Sequence, residues 1–220
     1  MIVEYKWDDI LRRSSLHAAP QDYDGHPSPA RLSCEWVPRT LPSTDRLAVA
    51  GALAFARSIS GSFSVGSSVS KPTADALRSF FGNRRVELDE ASLRPQEPKR
   101  GTTAFLLGIG DTYIPEIGWH GFDEPRQIAF IDYRSSARAG ASFDFASLEA
   151  PSNAWLFRRD LDVTDISYWY PQTALAILFA EDFEVGEIWF PSEVSRDSRY
   201  TALVELLKSI DLSVGRSARA

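Results

Sequence analysis

Polar residues and glycines follow four apolar segments in the second half of the chain, and their types suit the binding of an anion. The apolar segments are TTAFLLG at 102–108, QIAFIDY at 127–133, NAWLFR at 153–158 and EIWFP at 187–191. The residues of interest at or beyond their carboxyl ends are Gly108, Gly110, Asp111, Thr112, Asp132, Arg134, Arg158 and Ser192. Glycine lets backbone N–H groups approach a phosphate closely, and arginine binds phosphate or carboxylate through two parallel hydrogen bonds. A site for a phosphate or a carboxylate is therefore predicted where these segments end.

The four apolar segments have the composition of strands in a parallel sheet. They lack strict alternation of apolar and polar residues, as expected of strands covered on both faces. Apolar residues at helical spacing predict helices over 170–183 and 200–210. Strands that alternate with helices predict an α/β fold with a parallel sheet flanked by helices. In such a sheet, ligands bind beyond the carboxyl ends of the strands.

The first hundred residues predict a smaller α+β portion. IVEYKW at 2–7 and RLSCEWV at 31–37 alternate as half-buried strands do, and we expect them to pair with each other. The polar stretch at 17–29 predicts a loop. Cap residues and apolar faces predict helices over 44–58 and 70–81, the second ending at Gly82. The predicted organisation is an α+β portion over 1–100, an α/β domain over 101–212 and a flexible tail over 213–220.

The segment LGIGDT at 107–112 resembles the phosphate loop of the PP-loop ATP pyrophosphatases. This family includes 7-cyano-7-deazaguanine synthase-like proteins and the muramyl-peptide glutamate epimerase group, and its signature is Ser-Gly-Gly-x-Asp-Ser after the first sheet strand. VSKPTADALRSFF, IAFIDYR and YPQTALAILFAEDFEVGEIWFPSE resemble further short motifs of the family. The resemblance implies a PP-loop/HUP-like sheet, with ATP and magnesium as cofactors. It also implies that Asp111 and Thr112 contact the pyrophosphate and that an arginine from a strand end assists them.

Two departures from the signature predict weakened ATP chemistry. Leu107 removes the first hydroxyl of the motif, and Ile109 places a branched side chain where the family has its second glycine. Gly108, Gly110, Asp111 and Thr112 are retained in or near their expected register. We expect a degenerate, non-catalytic subunit that acts as a scaffold or partner within a protein complex. The alternatives are an enzyme that activates a carboxylate as its adenylate, and a module that senses a nucleotide without turning it over.

The charge and composition of the chain exclude several other classes of function. The 220 residues carry a formal net charge of −6, and no basic run is present, which argues against nucleic-acid binding by this chain alone. No apolar stretch approaches the roughly 20 residues that span a bilayer. The one cysteine, Cys34, excludes a disulfide within the chain. With no leader signature visible, it also predicts a cytoplasmic protein. The expected scaffold role implies that the partner is another protein chain.

Overall fold

Helices and strands alternate through a mixed α/β fold, as the sequence predicts. A computed structural model describes residues 1–82, 86–88, 101–108, 126–129, 142–143 and 147–216. The α-helices in these ranges are α1 (Thr44–Phe55), α2 (Lys71–Phe81), α3 (Tyr170–Phe179) and α4 (Ser198–Lys208). None of the helices in the described ranges is long and apolar enough to cross a bilayer. The predicted boundary at 91–100 lies outside the described residues.

The amino-terminal sheet has three antiparallel strands, where the sequence predicted a pair. Its strands are β1 (Ile2–Asp8), β2 (Arg13–Ala19) and β3 (Arg31–Cys34), in the spatial order β1-β2-β3. The predicted pairing of the first strand with β3 is wrong, because β2 lies between them and pairs with both. The predicted loop is wrong over 17–19, which belong to β2. Serines at 14 and 15 are buried there beside Leu16, so β2 lacks the apolar–polar alternation that reveals a half-buried strand.

Helices α1 and α2 form where the cap residues predict them. The side chain of Ser43 accepts a hydrogen bond from the backbone N–H of Arg46 at 3.4 Å, and α1 ends three residues before the predicted limit of 58. Gly82 ends α2 with φ at +63°, a conformation that suits glycine because it has no Cβ. The backbone N–H of Gly82 donates to the carbonyls of Arg78 and Ser79. Two short parallel strands, β4 (Ser62–Phe63) and β5 (Glu87–Leu88), flank α2 in the chain.

The second sheet has the parallel pairing that the sequence predicts. Its strands are β6 (Thr103–Gly108), β7 (Arg126–Ala129), β8 (Ser142–Phe143), β9 (Ser147–Glu149), β10 (Val185–Phe190) and β11 (Ser213–Arg216). They lie in the order β11-β10-β6-β7-β9-β8. Every pair is parallel except β8 with β9, which is antiparallel.

Two segments differ from their predicted structure. NAWLFR at 153–158 is not a strand: Ala154–Arg158 forms a 3₁₀ helix. The reason is that Asn153 is held against β3, where its side chain accepts from the N–H of Ser33 at 2.8 Å and donates to the carbonyl of Arg31 at 2.7 Å. Ser213–Arg216, placed by the sequence in the flexible tail, forms β11 by pairing with β10.

The helices form two layers over the second sheet. α3 contacts β6 and α4 contacts β11, while α1 packs on α3 and α2 packs on α4. Phe105 and Leu107 of β6 are fully buried and belong to the same apolar core as Ile188 of β10 and the buried face of α3. The amino-terminal portion and the parallel sheet therefore share one core.

The packing of α1 includes a fully buried arginine. The Arg46 side chain is 0% exposed, and its Nη1 atom lies 3.5 Å from Oε1 of Glu181, which follows α3. Its three side-chain nitrogens donate no hydrogen bond to any residue in the described ranges. Burial lowers the pKa of Arg46, and the charges of Glu181 and Asp211 oppose that shift. This guanidinium is thus held by charge attraction across a helix interface without the hydrogen bonds that normally accompany its burial.

Candidate functional site

The order of strands creates a switch point between β6 and β10. From β6 the sheet extends through β7 and β9 on one side and through β10 and β11 on the other. Counted in chain order, the five parallel strands lie in the order 3-2-1-4-5, and in open α/β sheets ligands bind beyond the carboxyl ends of the strands where such an order reverses. Leu106 pairs with Trp189, so the ends of β6 and β10 lie side by side.

Of the residues predicted for the site, Gly108 and Ser192 are brought to this switch point. Gly108 is the last residue of β6, and Ser192 follows the end of β10 after Pro191. The Ser192 hydroxyl donates to Oε1 of Glu193 at 3.0 Å, in an exposed position. The other predicted positions on these loops, Gly110, Asp111, Thr112, Asp132 and Arg134, lie outside the described residues.

Arg158 does not follow a strand, although the sequence predicted that it would. It was expected at the end of a strand, but its segment is a 3₁₀ helix, so it leaves no strand of the sheet. Its guanidinium carbon lies 4.5 Å from the centre of the Tyr168 ring, which is a cation–π contact. Arg159 lies in the same way over Trp155, at 4.7 Å. Both arginines therefore lie over aromatic rings of the same region.

Leu107 lies inside β6 and not in a loop. Its side chain is 0% exposed and packs in the apolar core, and its backbone pairs with Ile128 of β7. The position that the resemblance aligns with the first hydroxyl of the phosphate-loop signature is therefore occupied by a core residue. Any loop that cradles an anion must begin after it.

A separate cavity of about 720 Å³ lies between the helix layers. It is bounded by the carboxyl-terminal ends of α1 and α2, the amino-terminal ends of α3 and α4, and residues 27–29. Since α3 precedes β10 and α4 follows it, the cavity lies toward the carboxyl edge of the parallel sheet. Sequence reasoning missed this cavity because its walls come from six separated segments, one of which holds Phe157 and Leu161.

Five aromatic side chains are among the residues that line the cavity. Phe80 lies 5.5 Å from both Phe81 and Tyr170, measured between ring centres. On another wall, Phe55 and Phe157 meet edge to face at 5.9 Å. Ring pairs at such distances are mutually stabilising, so the wall is a fixed apolar surface. Burial raises the pKa of Tyr170 to about 12, and its hydroxyl therefore carries no charge near neutral pH.

The charged side chains at the cavity are arginines. Among the described residues that line it, Arg57 and Arg199 carry charge and none is acidic. Arg199 forms ion pairs with Asp197 at 2.9 Å and with Asp165 at 3.0 Å, and neither aspartate lines the cavity. Arg57 is exposed and has no ion pair with any residue of the described ranges. Among the described residues that line the cavity, Arg57 is therefore the charged side chain that is not neutralised by an ion pair within the described ranges.

No metal-binding cluster is present in the part of the chain that the structure describes. Groups of three or more His, Cys, Asp or Glu side chains do not gather there. Comparison with protein-family models, with curated proteins and with solved structures found no match. The geometry of the two sites therefore carries the functional argument.

Proposed function

We propose that the chain is a degenerate PP-loop-like subunit that acts without catalysis, as a scaffold or partner within a protein complex. The burial of Leu107 inside β6 is the observation that carries this proposal. A phosphate loop uses small residues and hydroxyl donors close to the anion. Leu107 has no donor, and moving its side chain from the core into water would cost about 1.5–3 kcal/mol. The resemblance aligns Ile109, which has a branched side chain, with the second glycine of the family's signature.

The strand order supports the fold half of the proposal. The parallel sheet reverses its strand order at the end of β6, which is the place where open α/β sheets bind phosphate-containing ligands. The same switch point favours a second candidate, a module that binds a nucleotide without turning it over. Gly108 and Ser192 would then form part of the nucleotide-binding site, together with Asp111 and Thr112. Adenylation of a carboxylate, with ATP and magnesium as cofactors, remains the third candidate.

Exposed apolar residues at one end of the amino-terminal sheet support the partner half of the proposal. Ile10 is 92% exposed and Leu11 is 61% exposed in the turn between β1 and β2, and Trp7, near the end of β1, is 49% exposed. Clustered apolar side chains in water are a common mark of protein interfaces. A partner chain that covers this turn would remove them from solvent.

A binding titration distinguishes the candidates. The purified chain is titrated with ATP in the presence of magnesium by calorimetry, and with ATP alone as a control. The scaffold proposal predicts no saturable heat, whereas saturable binding without product formation would replace it with the sensor. Product formation would favour the adenylating enzyme, in which case Asp111→Ala should abolish turnover.

The partner is tested separately by affinity purification from the native extract. We expect a second chain to be recovered in a fixed ratio, and Ile10→Asp to reduce its recovery at least tenfold. Leu41→Asp is the matched control, because Leu41 is also strongly exposed, at 58%, but lies away from the turn. Equal recovery with both variants would remove the turn from the interface, and a solitary monomer would contradict the partner role.

A further inference from the structure

We propose that the cavity between the helix layers is a binding site for a small amphipathic anion. The ligand has an aromatic or branched aliphatic body and one acidic group, such as a carboxylate, that Arg57 binds. This site is separate from the switch point of the sheet, and it does not depend on whether ATP binds there.

The size and position of the cavity suit a small molecule. Small-molecule sites usually enclose about 300–1,000 Å³ and are mostly apolar, with a few polar groups that fix orientation. The cavity here measures about 720 Å³. It lies where two portions of the fold meet, since residues 27–29 and the ends of α1 and α2 face the beginnings of α3 and α4.

The aromatic wall specifies the body of the ligand. Phe80, Phe81 and Tyr170 form one connected group of rings, and Phe55 with Phe157 forms another. An apolar ligand group would contact the half-buried rings of Phe80 and Phe157, which pack against the buried rings of Phe81 and Phe55. A strongly polar ligand such as a free sugar would leave its hydroxyls without partners against these rings.

The charges at the cavity specify the sign of the polar group. No acidic side chain is among the described residues that line it, and Asp165 and Asp197 already neutralise Arg199, so the charge that a ligand would meet is that of Arg57. Arg199 already binds two carboxylates and is held in place. Arg57 has no such ion pair within the described ranges, and its guanidinium is free to form parallel hydrogen bonds with a carboxylate, sulfonate or phosphate.

Two fluorescent probes test the body and the charge separately. The first is 8-anilinonaphthalene-1-sulfonate, which has an aromatic body and one anionic group; the second is N-phenyl-1-naphthylamine, which has the same body without the charge. We expect saturable binding of the sulfonate probe at one site per chain. The protein used must show a cooperative thermal transition, because partly unfolded proteins also bind the first probe.

Arg57→Gln should raise the dissociation constant of the sulfonate probe about fivefold, which is the effect expected of losing one exposed charge pair. The dissociation constant of the neutral probe should stay unchanged. Arg39→Gln is the matched control, because Arg39 is exposed and does not line the cavity. Ala202 lines the cavity from α4, so Ala202→Trp should fill the space and weaken both probes at least tenfold. Full affinity in this variant, once it is shown to be folded, would overturn the site.

Equal loss with Arg57→Gln and Arg39→Gln would also overturn the proposal, since it would show non-specific attraction to positive charge. So would binding that does not saturate at one site per chain. The comparison of the two arginine variants decides the role of Arg57 even if Ala202→Trp fails to fold.

Discussion

Replacement of the buried Arg46 by methionine tests how the helix layers are held together. Transfer of an ion from water to a protein interior costs several kcal/mol. The Coulomb attraction that offsets this cost is about 5 kcal/mol for unit charges 3.5 Å apart at an effective dielectric constant of 20. Because no hydrogen bonds to described residues add to the attraction, the two contributions nearly cancel. Methionine is unbranched and flexible, so it can fill much of the space without a charge.

We therefore expect Arg46→Met to leave the free energy of unfolding unchanged or to raise it, by up to about 3 kcal/mol. Glu181→Gln should have the opposite effect and lower it by about 2–3 kcal/mol, because it leaves the Arg46 charge buried with its nearest partner removed. Glutamine can still accept the hydrogen bond that Glu181 receives from the backbone N–H of Ser43, so this variant changes mainly the charge.

Urea unfolding followed by circular dichroism measures both variants. The slope of free energy against urea concentration must stay constant for the comparison to hold. If the free energy of unfolding of Arg46→Met is lower than that of wild type by more than about 2 kcal/mol at constant slope, the reasoning is refuted. That result would show that the buried ion pair stabilises the fold by more than its desolvation cost.

Three further predictions concern the sheet and the helix ends. Gly215→Ala should lower the free energy of unfolding, measured with urea, by about 1–3 kcal/mol, because an added Cβ would lie 2.2 Å from Nε1 of Trp189. In a Trp189→Ala background the same change should be nearly neutral. An undiminished effect in that background would contradict the clash. Burial acts to raise the pKa of Asp197, but hydrogen bonds at the start of α4 outweigh it and hold that pKa below 3.8. The free energy of unfolding of wild type should therefore exceed that of Asp197→Asn by a constant amount above about pH 5, and the difference should shrink as pH falls below 3.8. A difference that grows on acidification would contradict this sign. Gly82→Ala should lower the melting temperature through a loss of about 1 kcal/mol, since its φ is +63°, and an unchanged melting temperature would argue against that conformation.

The sequence predicts best those elements whose signals are local. Ser43 and Gly82 mark the ends of α1 and α2 through their own backbone chemistry, and the apolar run at 103–108 needs no distant information to be recognised as a buried strand. The predicted helices at 170–183 and 200–210 are also confirmed, with ends at Phe179 and Lys208.

The failures come from contacts between distant segments. NAWLFR has strand-forming composition, but the side chain of Asn153 binds β3 and the backbone turns into a 3₁₀ helix. β11 contains serine, glycine and arginine, and it becomes a strand because β10 offers a parallel edge. The same limit applies to the cavity, since Arg57 and Tyr170 are separated in the chain and line one cavity only when α1 packs against α3.

Release of pyrophosphate from ATP tests the central claim most directly. The chain, alone and with any partner recovered in fixed ratio, is incubated with ATP and magnesium, and pyrophosphate is measured against a sample without protein. The burial of Leu107 in β6 predicts no release above that background. Release that depends on enzyme concentration and disappears in Asp111→Ala would contradict the account.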